Sequence, residues 1–203
     1  MKKIYYVDIS NIKLEDINLS LISNDRLNKS KSYKDEIKKI QSLTAYLLLR
    51  YAFKQLDINL NDHEFSYTNN KPYILDFGYQ FNITHSKNIV AVVISDSVIG
   101  VDCEYIDKNR ELKAIDYLFT EKEMLEFNCL GDDSKVEYFY KKWVEKEAYF
   151  KMIGKGLTKE FNKIDSLKYN VYRIIDKLGL TYYICSTEVE STLEKINFNN
   201  INK

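Results

Sequence analysis

The stretch Ile99-Gly100-Val101-Asp102-Cys103-Glu104-Tyr105 reads as a β-strand. Ile99, Val101 and Cys103 alternate with Gly100, Asp102 and Glu104, and successive strand side chains point to opposite faces. Asp102 and Glu104 therefore share one face. Cys103 turns to the other, where a small thiol suits a core. Two carboxylates on one face repel each other unless a positive charge lies near them. A hard divalent cation such as Mg²⁺, bound through oxygen ligands, answers that need.

Working outward, residues 134–153 carry helical spacing and stop at Gly154 and Gly156. Phe139, Trp143 and Phe150 form an apolar stripe on that helix, and Glu147 falls on the same stripe. A carboxylate there is costly unless it is paired or metal-bound. Lys151 shares its face, so a plain Glu147–Lys151 helix pair worth a few tenths of a kcal/mol is the competing reading. Gly154-Lys155-Gly156 follows a helix instead of preceding one, so it reads as a helix stop and not as a phosphate loop.

Upstream, Ile89 to Ile94 is an apolar strand, and Asp96 marks the turn after it. Before that strand, Phe81-Asn82-Ile83-Thr84-His85-Ser86 gathers several hydrogen-bonding side chains at a strand end. Such a cluster can hold phosphate oxygens, or His85 can simply be satisfied by its neighbours. Ile37, Ile40, Leu43, Leu47 and Tyr51 predict a long helix over 35–56. The preceding basic run, with Arg26, Lys29, Lys31 and Lys34, is either a solvated face or an anion contact. Lys71 is fixed beside Pro72, the only proline. The asparagine-rich tail, 197–203, is expected to fray.

An opening strand over 4–9 contains Val7-Asp8, an echo of Val101-Asp102. Each half then reads as strand, helices, strands, which raises an α+β arrangement of two similar halves, 1–97 and 98–203, with a site between them. The chain has 203 residues with 30 basic and 30 acidic side chains, so no basic excess marks a nucleic-acid or membrane surface. Any anion must be held by local clusters. The three cysteines have no C-x-x-C spacing, which argues against zinc and for reduced thiols in a cytoplasmic setting. Asp8 interrupts what would be the apolar core of an export signal, and no segment approaches the ~20 apolar residues of a membrane span.

Taken in order, Asn70-Lys71-Pro72, Phe81-Asn82-Ile83-Thr84-His85-Ser86, Gly100-Val101-Asp102-Cys103-Glu104, Phe119-Thr120-Glu121-Lys122-Glu123 and Trp143-x-x-Lys146-Glu147-Ala148-x-x-Lys151-x-x-Gly154-Lys155-Gly156-Leu157 resemble the Sfp-type 4′-phosphopantetheinyl transferases. The resemblance implies two α+β halves related by a pseudo-twofold axis, with coenzyme A in the cleft between them. It implies transfer of 4′-phosphopantetheine to a serine of an apo acyl or peptidyl carrier protein, with release of adenosine 3′,5′-bisphosphate. Asp102, Glu104 and Glu147 match the family's Mg²⁺ ligands, and Glu147 also matches its proposed general base. Lys151 matches the lysine that neutralises the pyrophosphate and leaving group. Thr84, His85 and Lys71 match coenzyme A contacts, Arg26 and Lys29 match 3′-phosphate contacts more loosely, and Glu123 matches an acid near the site. Departures are Thr84 for the usual serine, Asn70 for a glycine, and Gln41 where some relatives carry a basic residue, whose contact Lys38 could supply. A monomer is expected, since two halves in one chain complete a cleft. The alternatives are a coenzyme A-binding relative without transfer, a single-half holo-acyl-carrier-protein synthase, for which the chain is long, and an interaction protein whose acidic strand is mere surface.

Overall fold

Alternation at Lys3–Asp8 places Tyr5 and Val7 on one face and Ile4 and Tyr6 on the other, and this segment forms strand β1. The computed structural model describes residues 3–68, 71–75, 78–109, 112, 114–155, 161–164, 167 and 169–203. After β1 come helix α1 (Asn24–Lys31), capped by the Ser23 hydroxyl, and helix α2 (Glu36–Lys54), capped by the Asp35 carboxylate. A hairpin of β2 (Phe65–Thr68) and β3 (Lys71–Ile74) follows, then β4 (Gln80–Ser86) and β5 (Ile89–Ser95). The second part runs β6 (Val101–Tyr105), α3 (Ile115–Leu118), α4 (Glu121–Asn128), α5 (Asp132–Met152), β7 (Val171–Ile175), β8 (Thr181–Ser186), β9 (Thr192–Lys195) and α6 (Phe198–Ile201).

The expected mixed α+β class is what the described residues form. The larger sheet has the order β4-β5-β1-β9, a second has β6-β8-β7, and β2-β3 stand as a pair. Both larger sheets share one connectivity. With β9 set aside, the first strand of each pairs antiparallel with the third, that strand pairs antiparallel with the second, and the long helix lies between first and second in sequence.

The period-two patterns sort side chains into layers. Val90, Val92 and Ile94 of β5 pack with α2, whereas Ile89, Ala91 and Val93 face the other way. There they meet Val101, Cys103, Ile174, Tyr182 and Ile184 of the second sheet. Tyr183 and Cys185, on the opposite face of β8, pack with α5. The order is therefore helix, sheet, sheet, helix, and Cys103 lies in the middle core as its alternation requires.

The tail corrects an expectation. Residues 197–203 do not fray: the Asn197 side chain caps α6, and Phe198 and Ile201, three apart, bury into the α2 core. Asn202 adds bonds to Asn18 N and Asp16 O. Just before it, β9 adds parallel to β1, so the chain returns to the first sheet after β8. Asn70, Gly156 and Leu157 lie outside the described residues. Gly154 does behave as a helix stop, with φ +70° just past α5.

Candidate active site

Strands β4 and β6 are both sheet edges, and they meet through side chains. Val101 N donates to Asn82 Oδ1 (3.0 Å), Cys103 N to Thr84 Oγ1 (3.2 Å) and Tyr105 N to Ser86 Oγ (3.0 Å). The steps are two residues on each strand and rise together, so the strands run parallel with Asn82, Thr84 and Ser86 on one face. The two acids of β6 accept from the same ladder: Thr84 Oγ1 donates to Asp102 Oδ1 (3.2 Å) and Ser86 Oγ to Glu104 Oε2 (3.2 Å). The polar cluster at 82–86 thus joins the sheets, a use its sequence does not announce.

Helix α5 lies against this strand because Gly100 lets it. A Cβ on Gly100 would stand 1.9 Å from Ala148 O and 2.7 Å from Met152 N. Only glycine permits backbone so close. The contact carries Glu147 and Lys151 over Asp102. Lys151 Nζ lies 2.5 Å from Asp102 Oδ1 and 3.1 Å from Thr84 Oγ1. The helix pair with Glu147 is not how Lys151 bonds. Higher on α5, Trp143 stacks on Phe139 and Phe161, and its indole hydrogen-bonds the Glu104 carboxylate.

The charges are unbalanced. Asp102, Glu104 and Glu147 face one ammonium. Burial, reinforced by the Asp102 charge, pushes Glu104 up to about 7, although Lys151 and the bonds from Ser86 and Trp143 oppose the rise. Burial and Asp102 likewise push Glu147 up to about 7. Desolvation works against the Lys151 charge, but Asp102 beside it, helped by Glu147 and Glu104, holds its pKa above 10.5.

As the side chains stand, no three Asp, Glu, His or Cys groups among the described residues converge closely enough to hold a metal ion. Lys151 provides the positive charge against Asp102. Yet Asp102 Oδ2 is buried without a hydrogen-bond partner among the described residues, and two further acids remain uncompensated beside it. An orphaned carboxylate oxygen and an oxygen-only donor set fit a hard divalent cation.

Beside the acids, a cavity of about 480 Å³ opens between α1, α2, β4 and α5. Its wall carries Arg26, Lys29, Lys38, His85 and Lys151 and, among the described residues, no carboxylate. Arg26 Nε and Ser42 Oγ are buried there without partners among the described residues. Desolvation, with Arg26 adding to it, lowers the Lys29 pKa, and its ammonium rests over the Tyr67 ring. The His85 ring reaches solvent, but the surrounding protein desolvates it and the Lys151 charge adds to that, so its pKa falls below 6.5.

The other residues named from the sequence fall as follows. Lys71 donates to Met152 O (3.2 Å), tying the β2–β3 hairpin to the end of α5, and burial lowers its pKa. The Gln41 amide donates to Lys87 O (2.8 Å), bracing a residue with φ +43° in the β4–β5 turn. Glu123 is fully buried and meets Lys146 Nζ at 2.5 Å, while Lys146 also donates to Leu118 O. This pair pins α4 to α5, and the Thr120–Glu123 capping box fixes the start of α4. Sequence spacing marked Gly100 and Lys146 only as strand or motif letters and Trp143 only as part of an apolar stripe. Their roles depend on contacts across elements that no local pattern carries.

Comparison with known proteins returns one family. Residues 98–188 match the family model described as the 4′-phosphopantetheinyl transferase superfamily. Over 120 residues the chain is 33% identical to 4′-phosphopantetheinyl transferase gsp of Aneurinibacillus migulanus, covering 58% of this chain and 49% of that protein. Over 154 residues it is 26% identical to 4′-phosphopantetheinyl transferase HetI of a Nostoc species, covering 72% and 65%. Over 91 residues it is 30% identical to 4′-phosphopantetheinyl transferase psf-1 of Bacillus pumilus, covering 44% and 39%. The chain thus spans between about two fifths and two thirds of these relatives' lengths.

Proposed function

We propose that the chain, a member of the 4′-phosphopantetheinyl transferase superfamily through residues 98–188, moves the 4′-phosphopantetheine of coenzyme A to a serine hydroxyl of an apo carrier protein. The observation that carries this reading is the junction of an acidic group, Asp102, Glu104 and Glu147, which Lys151 compensates only in part, with a cavity whose charged side chains among the described residues are all basic, through the shared Lys151. A pyrophosphate spanning that junction would meet cations along its anionic length. The shared connectivity of the two larger sheets supports the family's arrangement of two halves about a pseudo-twofold axis, 1–97 and 98–203, with β9 returning to the first sheet.

Asp102, Glu104 and Glu147 would hold Mg²⁺, which when bound withdraws charge from the attacked phosphorus. The rest falls to the chain's own side chains. Glu147 takes the proton of the carrier serine at its carboxylate, directly or through water. The serine oxygen forms the new P–O bond as the pyrophosphate P–O bond breaks, and adenosine 3′,5′-bisphosphate leaves with the electron pair. Lys151, which Asp102 and the glutamates keep charged, neutralises the departing phosphate. Arg26 and Lys29 would take the 3′-phosphate, and His85, Lys71 and Thr84 line or flank the rest of the path. Such chemistry rests on positioning and charge neutralisation, with little covalent work for the protein.

Coenzyme A titrated into the protein with Mg²⁺, followed by calorimetry, tests the binding half of this reading. Saturable uptake is expected. No uptake would favour the reading of an interaction protein with an acidic surface strand.

A further inference from the structure

The hydroxyls of β4 have little freedom. A hydroxyl carries one hydrogen and two lone pairs. Ser86 Oγ accepts from Tyr105 N, which leaves its hydrogen for Glu104 Oε2. Thr84 Oγ1 accepts from both Cys103 N and Lys151 Nζ, so its hydrogen goes to Asp102 Oδ1. Both strands are sheet edges, and unpaired edge amides seek acceptors. Here three side chains at alternate positions supply them, and two of the three pass a hydrogen on to an acid of β6.

We infer that Ser86 and Thr84 are positioning residues that act through Glu104 and Asp102, clamping the acidic pair of the second sheet to the first sheet, whose strand and helices carry the basic cavity. This rests on the functional reading above, since it assumes that the pair holds a cation. The clamp sets where each carboxylate aims. Asn82, the third rung, faces Gly100-Val101 and has no acid to hold, so the ladder itself and the aiming of carboxylates are separable. Partners one step removed from a metal typically change its affinity 10- to 100-fold when removed.

The test uses Ser86, which is half-buried and therefore tolerant of small changes. Mn²⁺ serves as the probe, its binding to the full chain followed by electron paramagnetic resonance without substrate, alongside coenzyme A binding and thermal melting. Ser86→Ala is expected to weaken Mn²⁺ binding about tenfold, to leave coenzyme A affinity measured without metal within about twofold, and Ser86→Thr is expected to restore Mn²⁺ binding. Should Ser86→Ala fail to fold, Ser86→Cys, a weak S–H donor of similar size, is expected to show a loss of the same sign. Wild-type protein that binds Mn²⁺ while a folded Ser86→Ala or Ser86→Cys binds it equally overturns the inference and leaves the functional reading standing. A failure of Ser86→Thr to rescue also overturns it. Wild-type protein that binds neither Mn²⁺ nor coenzyme A overturns the functional reading and this inference with it.

Discussion

Lys151 Nζ stands 2.5 Å from Asp102 Oδ1, so the ammonium at the end of α5 is the positive charge that the acidic strand requires. Asp102 is buried and Lys151 about one-third exposed. Removing the cation leaves a buried carboxylate without its ammonium, at a site that the exposed side of Lys151 opens to water. Lys151→Met is therefore expected to lower stability by about 1–3 kcal/mol, less than a fully buried pair would lose. Urea denaturation measures it, and a loss within 0.5 kcal/mol, the range of an ordinary surface change, would contradict the pairing.

Proton linkage gives a second expectation. Glu104 and Glu147 have folded pKa values near 7, raised from an ordinary 4.5. Between those values the folded state binds protons that the unfolded state has released. Their contribution is fully present below about 4.5 and is lost as pH rises through about 7. Without divalent metal, the melting temperature should fall from pH 5 to pH 8 through this pair, and Mg²⁺ at pH 8 should recover it by binding the folded state. Melting that is flat with pH and indifferent to Mg²⁺ would count against the shared acidic site.

Gly100 makes a third case. In Gly100→Ala the new Cβ meets backbone atoms of α5, which cannot rotate aside. Overpacking of this kind costs about 1–3 kcal/mol, sometimes more. Because α5 carries Glu147 and Lys151, Mn²⁺ affinity should drop as well. A variant of wild-type stability and affinity would show that α5 does not depend on this approach.

The pair Lys146–Glu123 has no solvent contact to soften its loss. Lys146→Met alone should cost about 3–5 kcal/mol, since it takes the nearer ammonium from Glu123 and leaves Lys142 at 3.8 Å, and adding Glu123→Leu should recover part of that by removing the buried carboxylate. Chemical denaturation of the two single variants and the double variant decides the matter. Additive losses would mean that the two side chains do not act as a pair.

Local pattern carried part of this structure well. Alternation at 99–105 gave the strand, the shared face of Asp102 and Glu104 and the burial of Cys103. Helical spacing gave α2 and α5 to within a few residues. What stayed illegible depends on partners distant in sequence. Asn82, Thr84 and Ser86 looked like loose donors for an anion, because nothing near them reveals that three amides of β6 would take their acceptors. The need of the acidic pair for a cation was readable, but Lys151 filling it in place of pairing with Glu147 was not. In the tail, asparagine content outweighed a usable signal, a capping Asn197 followed by Phe198 and Ile201 at helical spacing.

The central claim is the transfer itself, and mass spectrometry of an apo carrier protein reads it directly. Each of several apo carriers from fatty-acid, polyketide and nonribosomal-peptide systems would be incubated with the chain, coenzyme A and Mg²⁺, beside Glu147→Gln as control. The account predicts that at least one carrier gains the mass of a single phosphopantetheine on its serine, and that Glu147→Gln gives none. No gain on any carrier from a wild-type chain that binds coenzyme A would contradict transfer and leave a coenzyme A-binding relative in its place.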